Sequence, residues 1–420
     1  MRQHTVVLEP TRGARATIVP AEPGRLRTLT IALLSIVLGL TAVGVIMVQS
    51  ASQVVAISAG RHPLDGLLKQ GAYAVLGIGL MFAISRVPTV ALRRLSWLLL
   101  VVGFTLQALV YTPLGYEAGG NRNWLRLGPI SMQPAEFMKV VLLVWVSAVL
   151  ANKQRLLDRW VHVVVPILPV VAASMFVNVL GGDLGTLMVL AALVFGCLYF
   201  SRVRGRVLAG VAAIALLGIG AMTIIKPNRV VRILHFFEVD CLTAAEHAYA
   251  GCWQTLNGFW ALANGGVLGV GVGNSTAKWH WLPEAQNDFV FAVVGEELGF
   301  VGAMAVIFAF VALAAVLIGL MTCCDSPFAR SIIGGVTVWI AVQMMINISV
   351  VLGFVPVLGV PLPFISAGGT SLLSLLTATG VVLACVREAA AAPETADGSL
   401  SAARSATAGA SPDTAAPSGG

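Results

Sequence analysis

Ten stretches of the chain, at roughly 29–50, 67–85, 95–112, 134–151, 161–180, 184–200, 207–225, 288–320, 331–352 and 367–386, are apolar and nearly free of charge. About 20 such residues cross the hydrocarbon core of a bilayer as a helix, whereas a barrel strand needs only about 9–11. No water reaches backbone groups there, so these runs must close their own hydrogen bonds as helices. Composition agrees: 58% of residues are hydrophobic and 11% charged, with mean hydropathy +0.89, against roughly a quarter charged in soluble chains. The expected fold is all-α, a polytopic integral membrane protein with about ten transmembrane helices. No cleavable signal peptide is visible, because the first 28 residues or so are polar and the first apolar run is followed by further spans.

Charge sets the orientation. Residues 1–28, the loops 86–94, 152–160, 201–206 and 322–330, and the C-terminal tail hold 17 of the 26 Lys and Arg. Basic residues accumulate on the cytoplasmic side, so both termini are expected there. The divisions are then a flexible N-terminus over 1–28, a membrane domain over 29–387 with a large outer loop at 226–287, and a disordered tail over 388–420, rich in Ala, Ser, Pro and Gly. The net charge of +7 needs no nucleic-acid partner. The long outer connections, 113–133 and 226–287, carry Arg122, Arg126, Lys226, Arg229, Arg232 and Lys278. Any one of these could pair with a nearby acid; six together favour an anionic ligand at the outer surface.

The stretch from Asn264 to Phe300 opens with five glycines in nine residues, passes Asp288 where loop becomes helix, and continues as an apolar run holding Glu296 and Glu297. A carboxylate inside the membrane costs roughly 2.5–3.5 kcal/mol and faces protein or water. Ala292, Gly295 and Gly299 fall below Asp288 at helical spacing, so a shallow groove is expected, shaped for another helix or a lipid tail. No βαβ unit and no Gly-Lys-Ser/Thr follows, which excludes a phosphate-binding glycine loop.

Three further groups stand out. Gln133-Pro134-Ala135-Glu136 precedes Lys139, and Glu136 and Lys139 share a helix face at i and i+3, as a structural ion pair or as the lining of an anion cavity. Asp183, in Gly-Gly-Asp-Leu-Gly-Thr, reads first as a helix N-cap. The block from Gly353 to Ser371 holds Pro356, Pro361, Pro363, Ser366, Gly368 and Gly369, and irregular backbone at membrane depth belongs in protein or at a cavity wall. Cys241 and Cys252 share the large outer loop, where a disulfide is permitted but not required. No cysteine or histidine spacing marks a metal site.

These residues carry a family resemblance. Met47-Val-Gln-Ser-Ala-Ser52, Asn123-Trp124 through Gln133-Pro134-Ala-Glu136-Phe-Met-Lys139, Asp183-Leu-Gly-Thr186, Gln254, Gly265 to Ser275, Leu282-Pro283-Glu284, Asp288 to Ala292, Gly295-Glu-Glu-Leu-Gly299 and Pro361 to Gly369 recur in this order. Across about 30–387 the chain resembles the SEDS family (shape, elongation, division and sporulation) of FtsW/RodA-type membrane proteins. It departs from many members at Asn123, where they carry Arg, at His280, where many are acidic, and at Gln286-Asn287, where a His-Thr pair is common.

The resemblance implies a peptidoglycan glycosyltransferase that polymerises lipid II on the outer face of the cytoplasmic membrane, at the division septum if the FtsW-like details hold. It implies a class B penicillin-binding protein and other division proteins as partners. Asp288 is then the catalytic base. Arg122, Glu136, Lys139, Arg229, Lys278, Glu296 and Glu297 would surround the substrate and its diphosphate, with Asp183, Pro363, Ser366, Gly368 and Gly369 shaping the cavity. No cofactor is certain, although a divalent cation could share the diphosphate. A helix N-terminus should hold the pKa of Asp288 down. A lipid II flippase and a non-catalytic division scaffold are the competing readings.

Overall fold

The structure is a computed structural model that describes residues 23–118, 120–128, 130–225 and 252–408. In chain order the helices are α1 (Pro23–Ser58), α2 (Asp65–Ser85), α3 (Thr89–Leu109), α4 (Pro134–Asn152), α5 (Trp160–Gly181), α6 (Leu184–Phe200), α7 (Gly205–Ile225), α8 (Trp253–Gly265), α9 (Val290–Thr322), α10 (Pro327–Val351) and α11 (Gly369–Ala408). Among the described residues, eight of them (α1–α5 and α9–α11) are long and apolar enough to cross a membrane. The two remaining expected spans appear as shorter apolar helices, Leu184–Phe200 and Gly205–Gly218. Each of the ten apolar runs is therefore a helix.

Helix α4 is the centre of the bundle. Fifteen of its nineteen residues are buried, among them Met138, Leu142 and Trp145, while α2, α3 and α5 leave large apolar side chains such as Leu76, Trp97 and Val165 exposed, as a lipid-facing surface should. Small residues let the neighbours close up. Gly196 faces Val338 and Gly335 faces Cys197 between α6 and α10, and Gly380 of α11 meets the backbone of Met81 in α2.

Four boundaries and connections differ from the expectation. The chain is not wholly helical: the connection before α4 is a three-stranded antiparallel sheet, β1 (Gly115–Ala118), β2 (Asn121–Leu127) and β3 (Ile130–Met132), paired in sequence order. Gly120 and Gly128, both at positive φ, make its turns, and the aromatic Tyr116 and Trp124 are cross-strand partners. Helix α1 starts at Pro23 instead of 29, because proline suits a first helical turn. The large connection expected as loop over 226–287 contains α8, and its residues 226–251, with Arg229 and Cys241, lie outside the described residues. The backbone of α11 stays helical to Ala408, where a disordered tail was expected from 388; its alanines favour helix.

Between α5 and α6 only Gly182 and Asp183 intervene. Gly182 turns the chain at φ 81°, and the Asp183 carboxylate accepts the Thr186 N–H at 2.9 Å, so the aspartate is the expected N-cap.

Candidate active site

The site lies at the end of the bundle that carries the sheet, and the non-helical segment 352–368 forms its floor. That segment is irregular but buried, with Val360, Leu362, Phe364 and Ile365 all inaccessible. Its polar backbone is answered from within the protein. Gln343 Nε2 donates to Pro361 O at 2.8 Å, Gln70 Nε2 donates to Ser366 O at 3.2 Å, and the Leu362 N–H donates to Ser366 Oγ at 2.7 Å. Gly44 of α1 packs directly on the Phe364 and Ile365 backbone. This is the condition under which irregular chain is tolerated at such depth.

Asp288 stands two residues before α9, in the turn that follows Leu282-Pro283-Glu284. Its residue is only 7% exposed, and its Oδ1 has no hydrogen-bond partner among the described residues. Burial, and after it the Glu284 carboxylate, pushes its pKa up to about 7 against a partly compensating backbone hydrogen bond. The expectation that the helix N-terminus would hold it low is thus overturned, since desolvation is the larger influence. Two residues earlier, Gln286 accepts the Ala367 N–H through its main-chain carbonyl at 2.8 Å, tying this turn to the floor.

Gln286 also lines a cavity of about 230 Å³, together with Gln70, Tyr73, Trp124, Gly368 and Gly369. Its rim carries Arg61, Asp65 and Lys69, where Lys69 Nζ lies 2.9 Å from Asp65 and Arg61 pairs with the same carboxylate. Arg61 and Lys69 were not singled out from sequence. They sit in and just after the short connection between the first two spans, and only the fold brings them beside Trp124 and Gly368. Asp288 is not itself on the cavity wall; Gln286 is the nearest residue of its turn that is.

The other expected ligands fall into separate groups. Arg122 donates to the carbonyls of Val110 and Thr112, both at 3.3 Å, closing the C-terminal end of α3, and it lines a small neighbouring pocket instead of the large cavity. Glu136 and Lys139 are both buried and 2.7 Å apart, with Lys139 Nζ 5.2 Å from the centre of the Trp339 ring. Trp339 Nε1 donates to Gln343 Oε1 at 2.7 Å, and Asn347 continues the same face of α10. Asp183 also accepts from Asn123 Nδ2 at 2.7 Å and Gln133 Nε2 at 3.0 Å, so it joins β2, the start of α4 and α6.

Glu296 and Glu297 fasten the chain. Glu296 accepts from Asn264 Nδ2 (2.9 Å), Thr276 N (2.9 Å), Thr276 Oγ1 (2.7 Å), Ala277 N (3.3 Å) and Ser275 Oγ. Glu297 accepts from Ser50 Oγ of α1 and lies 3.3 Å from Lys278 Nζ, whose other partners are Ser50 Oγ at 3.1 Å and the Gly273 carbonyl. The glycines before them have a concrete use. Helix α9 breaks at Gly299 (φ 69°), and the freed backbone pairs with the glycine-rich segment: Val270 N–H to Glu296 O and Gly271 N–H to Glu297 O, both 3.0 Å. The groove expected below Asp288 is filled by a helix, for Leu262 of α8 packs on Gly295.

Cys252 is disulfide-bonded, and its expected partner Cys241 lies outside the described residues, as does Arg229. Among the described residues, no three His, Cys, Asp or Glu side chains gather as a metal-holding group.

Comparison with known proteins follows the same line. The family profile of the FtsW/RodA/SpoVE type, described as cell cycle protein, matches residues 31–391. Stage V sporulation protein E of Bacillus subtilis is 33% identical over 356 residues, 84% of this chain and 95% of the relative. The probable peptidoglycan glycosyltransferase FtsW of Coxiella burnetii is 32% identical over 350 residues, 82% and 93% of the two chains. Among solved structures, the rod shape determining protein RodA of Thermus thermophilus matches with TM-score 0.61 and 25% identity, over 85% of this chain and 96% of that one. A chain from a peptidoglycan synthase complex that coordinates polymerization and crosslinking matches with TM-score 0.65 and 27% identity, over 85% and 97%.

Proposed function

Because the chain belongs to the FtsW/RodA/SpoVE family of multi-pass membrane proteins, we propose that it is a peptidoglycan glycosyltransferase with Asp288 as its general base. The substrate is lipid II, the product a glycan strand, and the sheet end of the bundle is the outer face of the cytoplasmic membrane. The proposed setting is septal wall synthesis, beside a class B penicillin-binding protein and other division proteins.

One observation carries this reading: a buried carboxylate with an oxygen that has no partner among the described residues, its pKa pushed up to about 7, in the turn whose Gln286 opens on the cavity. A base works best when its pKa lies near the operating pH. The ionised Asp288 takes the proton of the acceptor sugar hydroxyl as that oxygen attacks the anomeric carbon of the lipid-linked donor. The bond from that carbon to the diphosphate breaks, and the diphosphate leaves as an anion. It needs positive charge more than a proton, and Arg61 and Lys69 at the rim are placed to attract it; a divalent cation could share that role. Glu136 with Lys139, and Glu296 and Glu297 with Lys278, hold the walls, while Asp183, Pro363, Ser366, Gly368 and Gly369 shape them.

The test is polymerisation of lipid II by the purified protein with its transpeptidase partner, read on a gel. Asp288→Asn should lower the yield by about 10²–10⁴-fold while the protein still inserts. Lipid II crossing vesicle membranes without polymer formation would instead establish a flippase. Normal division in cells carrying only Asp288→Ala would establish a scaffold.

A further inference from the structure

Val267 and Leu268 follow α8 in a segment that topology assigns to the water outside, yet they are 65% and 81% exposed. Their position is not that of a loose loop. The Phe300 N–H donates to Gly266 O at 2.9 Å and the Val301 N–H to Val267 O at 3.1 Å, alongside the pairs from Val270 and Gly271 to Glu296 and Glu297. The break at Gly299 leaves these groups of α9 unpaired within the helix, and the loop takes them up. The loop is therefore fixed in height against α9.

That height can be calculated. Phe300 to Thr322 is 23 residues of α9, about 35 Å at 1.5 Å per residue, enough for a hydrocarbon core of about 30 Å. Counted back from Thr322, a helix of that length reaches the outer edge of the hydrocarbon near the break, at Phe300 and Val301, themselves 61% and 54% exposed. Val267 and Leu268 are held beside them. Lipid requires backbone groups to be answered within the protein, and much of this loop's backbone is: the N–H groups of Gly269, Val270 and Gly271 are all bonded, the Val267 carbonyl accepts from Val301, and Val270 O accepts from Asn274 Nδ2 at 3.1 Å.

We propose that Val267 and Leu268 insert into the membrane leaflet on the sheet side, with lipid acyl chains as the partner of this surface. The 265–273 segment is a membrane anchor for the chain that runs on to Asp288. Exposed Trp260, Trp279 and Trp281 flank it in sequence, and tryptophan concentrates at this interface. The placement does not depend on the chemistry at Asp288.

A nitroxide label on Leu268→Cys tests it, in full-length protein with Cys197, Cys323, Cys324 and Cys385 replaced by alanine. The protein is reconstituted without any partner in vesicles of phosphatidylethanolamine and phosphatidylglycerol. The label should collide several times more often with dissolved oxygen than with a water-soluble nickel chelate, and a label on Glu117→Cys of β1 should show the reverse. Val267→Cys carries the same test should Leu268→Cys fail to fold. Nickel access at 268 equal to that at 117, or protection that arises only when a partner protein is added, would overturn the proposal.

Discussion

Asn347, near the end of α10, donates from Nδ2 to the main-chain carbonyl of Asp288 and to that of Val360, each at 2.8 Å. One side-chain amide thus sets the position of the candidate base against the irregular floor. Two turns earlier on the same helix, Trp339 lies under the Lys139 ammonium, so α10 carries both polar groups of the site along one face.

The first prediction concerns that amide. Asn347→Leu keeps the size of the side chain but leaves two buried carbonyls without their donor, at roughly 1–3 kcal/mol each. Glycan polymerisation should fall more than tenfold and the thermal unfolding temperature in detergent should drop. Unchanged activity and stability together would show that the turn holds Asp288 by itself.

The second concerns pH. The carboxyl of Asp288 titrates near 7 when folded and near 3.8 when exposed. As the proposed base it acts in its ionised form, so polymerisation should rise through about pH 7. Glu284→Gln removes the neighbouring negative charge and should move that rise to lower pH. The stability effect has the opposite sense. Between the two pKa values the folded state binds more proton, so this group's contribution is present at low pH and is lost as pH rises through about 7. Asp288→Asn should therefore stabilise the protein at pH 8 and change little at pH 4, by up to about 4 kcal/mol at 1.4 per unit. Equal unfolding temperatures for the two proteins at pH 8 would contradict this.

Much of this site can be read from sequence where the reason is local. Apolar length marks the spans, i and i+3 spacing pairs Glu136 with Lys139, and Asp183 caps the helix three residues ahead of its Thr186 bond. What could not be read depends on distant chain. Arg61 and Lys69 join the cavity only because α2 packs on α11 and because Trp124 and Ser131 of the sheet line the same space. The break at Gly299 is stable only because a loop thirty residues earlier supplies hydrogen bonds. The pKa of Asp288 follows from burial by several elements, which no helix-end argument can weigh.

The third prediction treats Glu136 and Lys139 as a unit. Both are buried and bonded to one another, so Lys139→Met leaves a carboxylate with no countercharge and Glu136→Gln leaves an ammonium without one. Each single change should cost about 3–5 kcal/mol, and the double change clearly less than their sum. Unfolding of all four proteins in the same detergent gives the cycle. Additive, small losses would mean that the charges do not depend on each other.

The last prediction separates two reasons for glycine in the segment that meets the helix break. Gly269 and Gly273 both lie at positive φ, 82° and 89°, so alanine at either pays roughly 1–2 kcal/mol for the left-handed backbone. Only Gly269 has a second constraint. A Cβ there would overlap the Glu297 carbonyl and the Gly299 amide, whereas one at Gly273 would meet nothing within 4 Å. The overlapped atoms are backbone and cannot swing away. Gly273→Ala should therefore fold and keep most of its activity, while Gly269→Ala should push the loop off α9, strip the Val270 and Gly271 hydrogen bonds, and lower both folded yield and polymerisation severely. Comparable behaviour of the two variants, in expression and in the gel assay, would show that close approach to the break is not what requires glycine at 269.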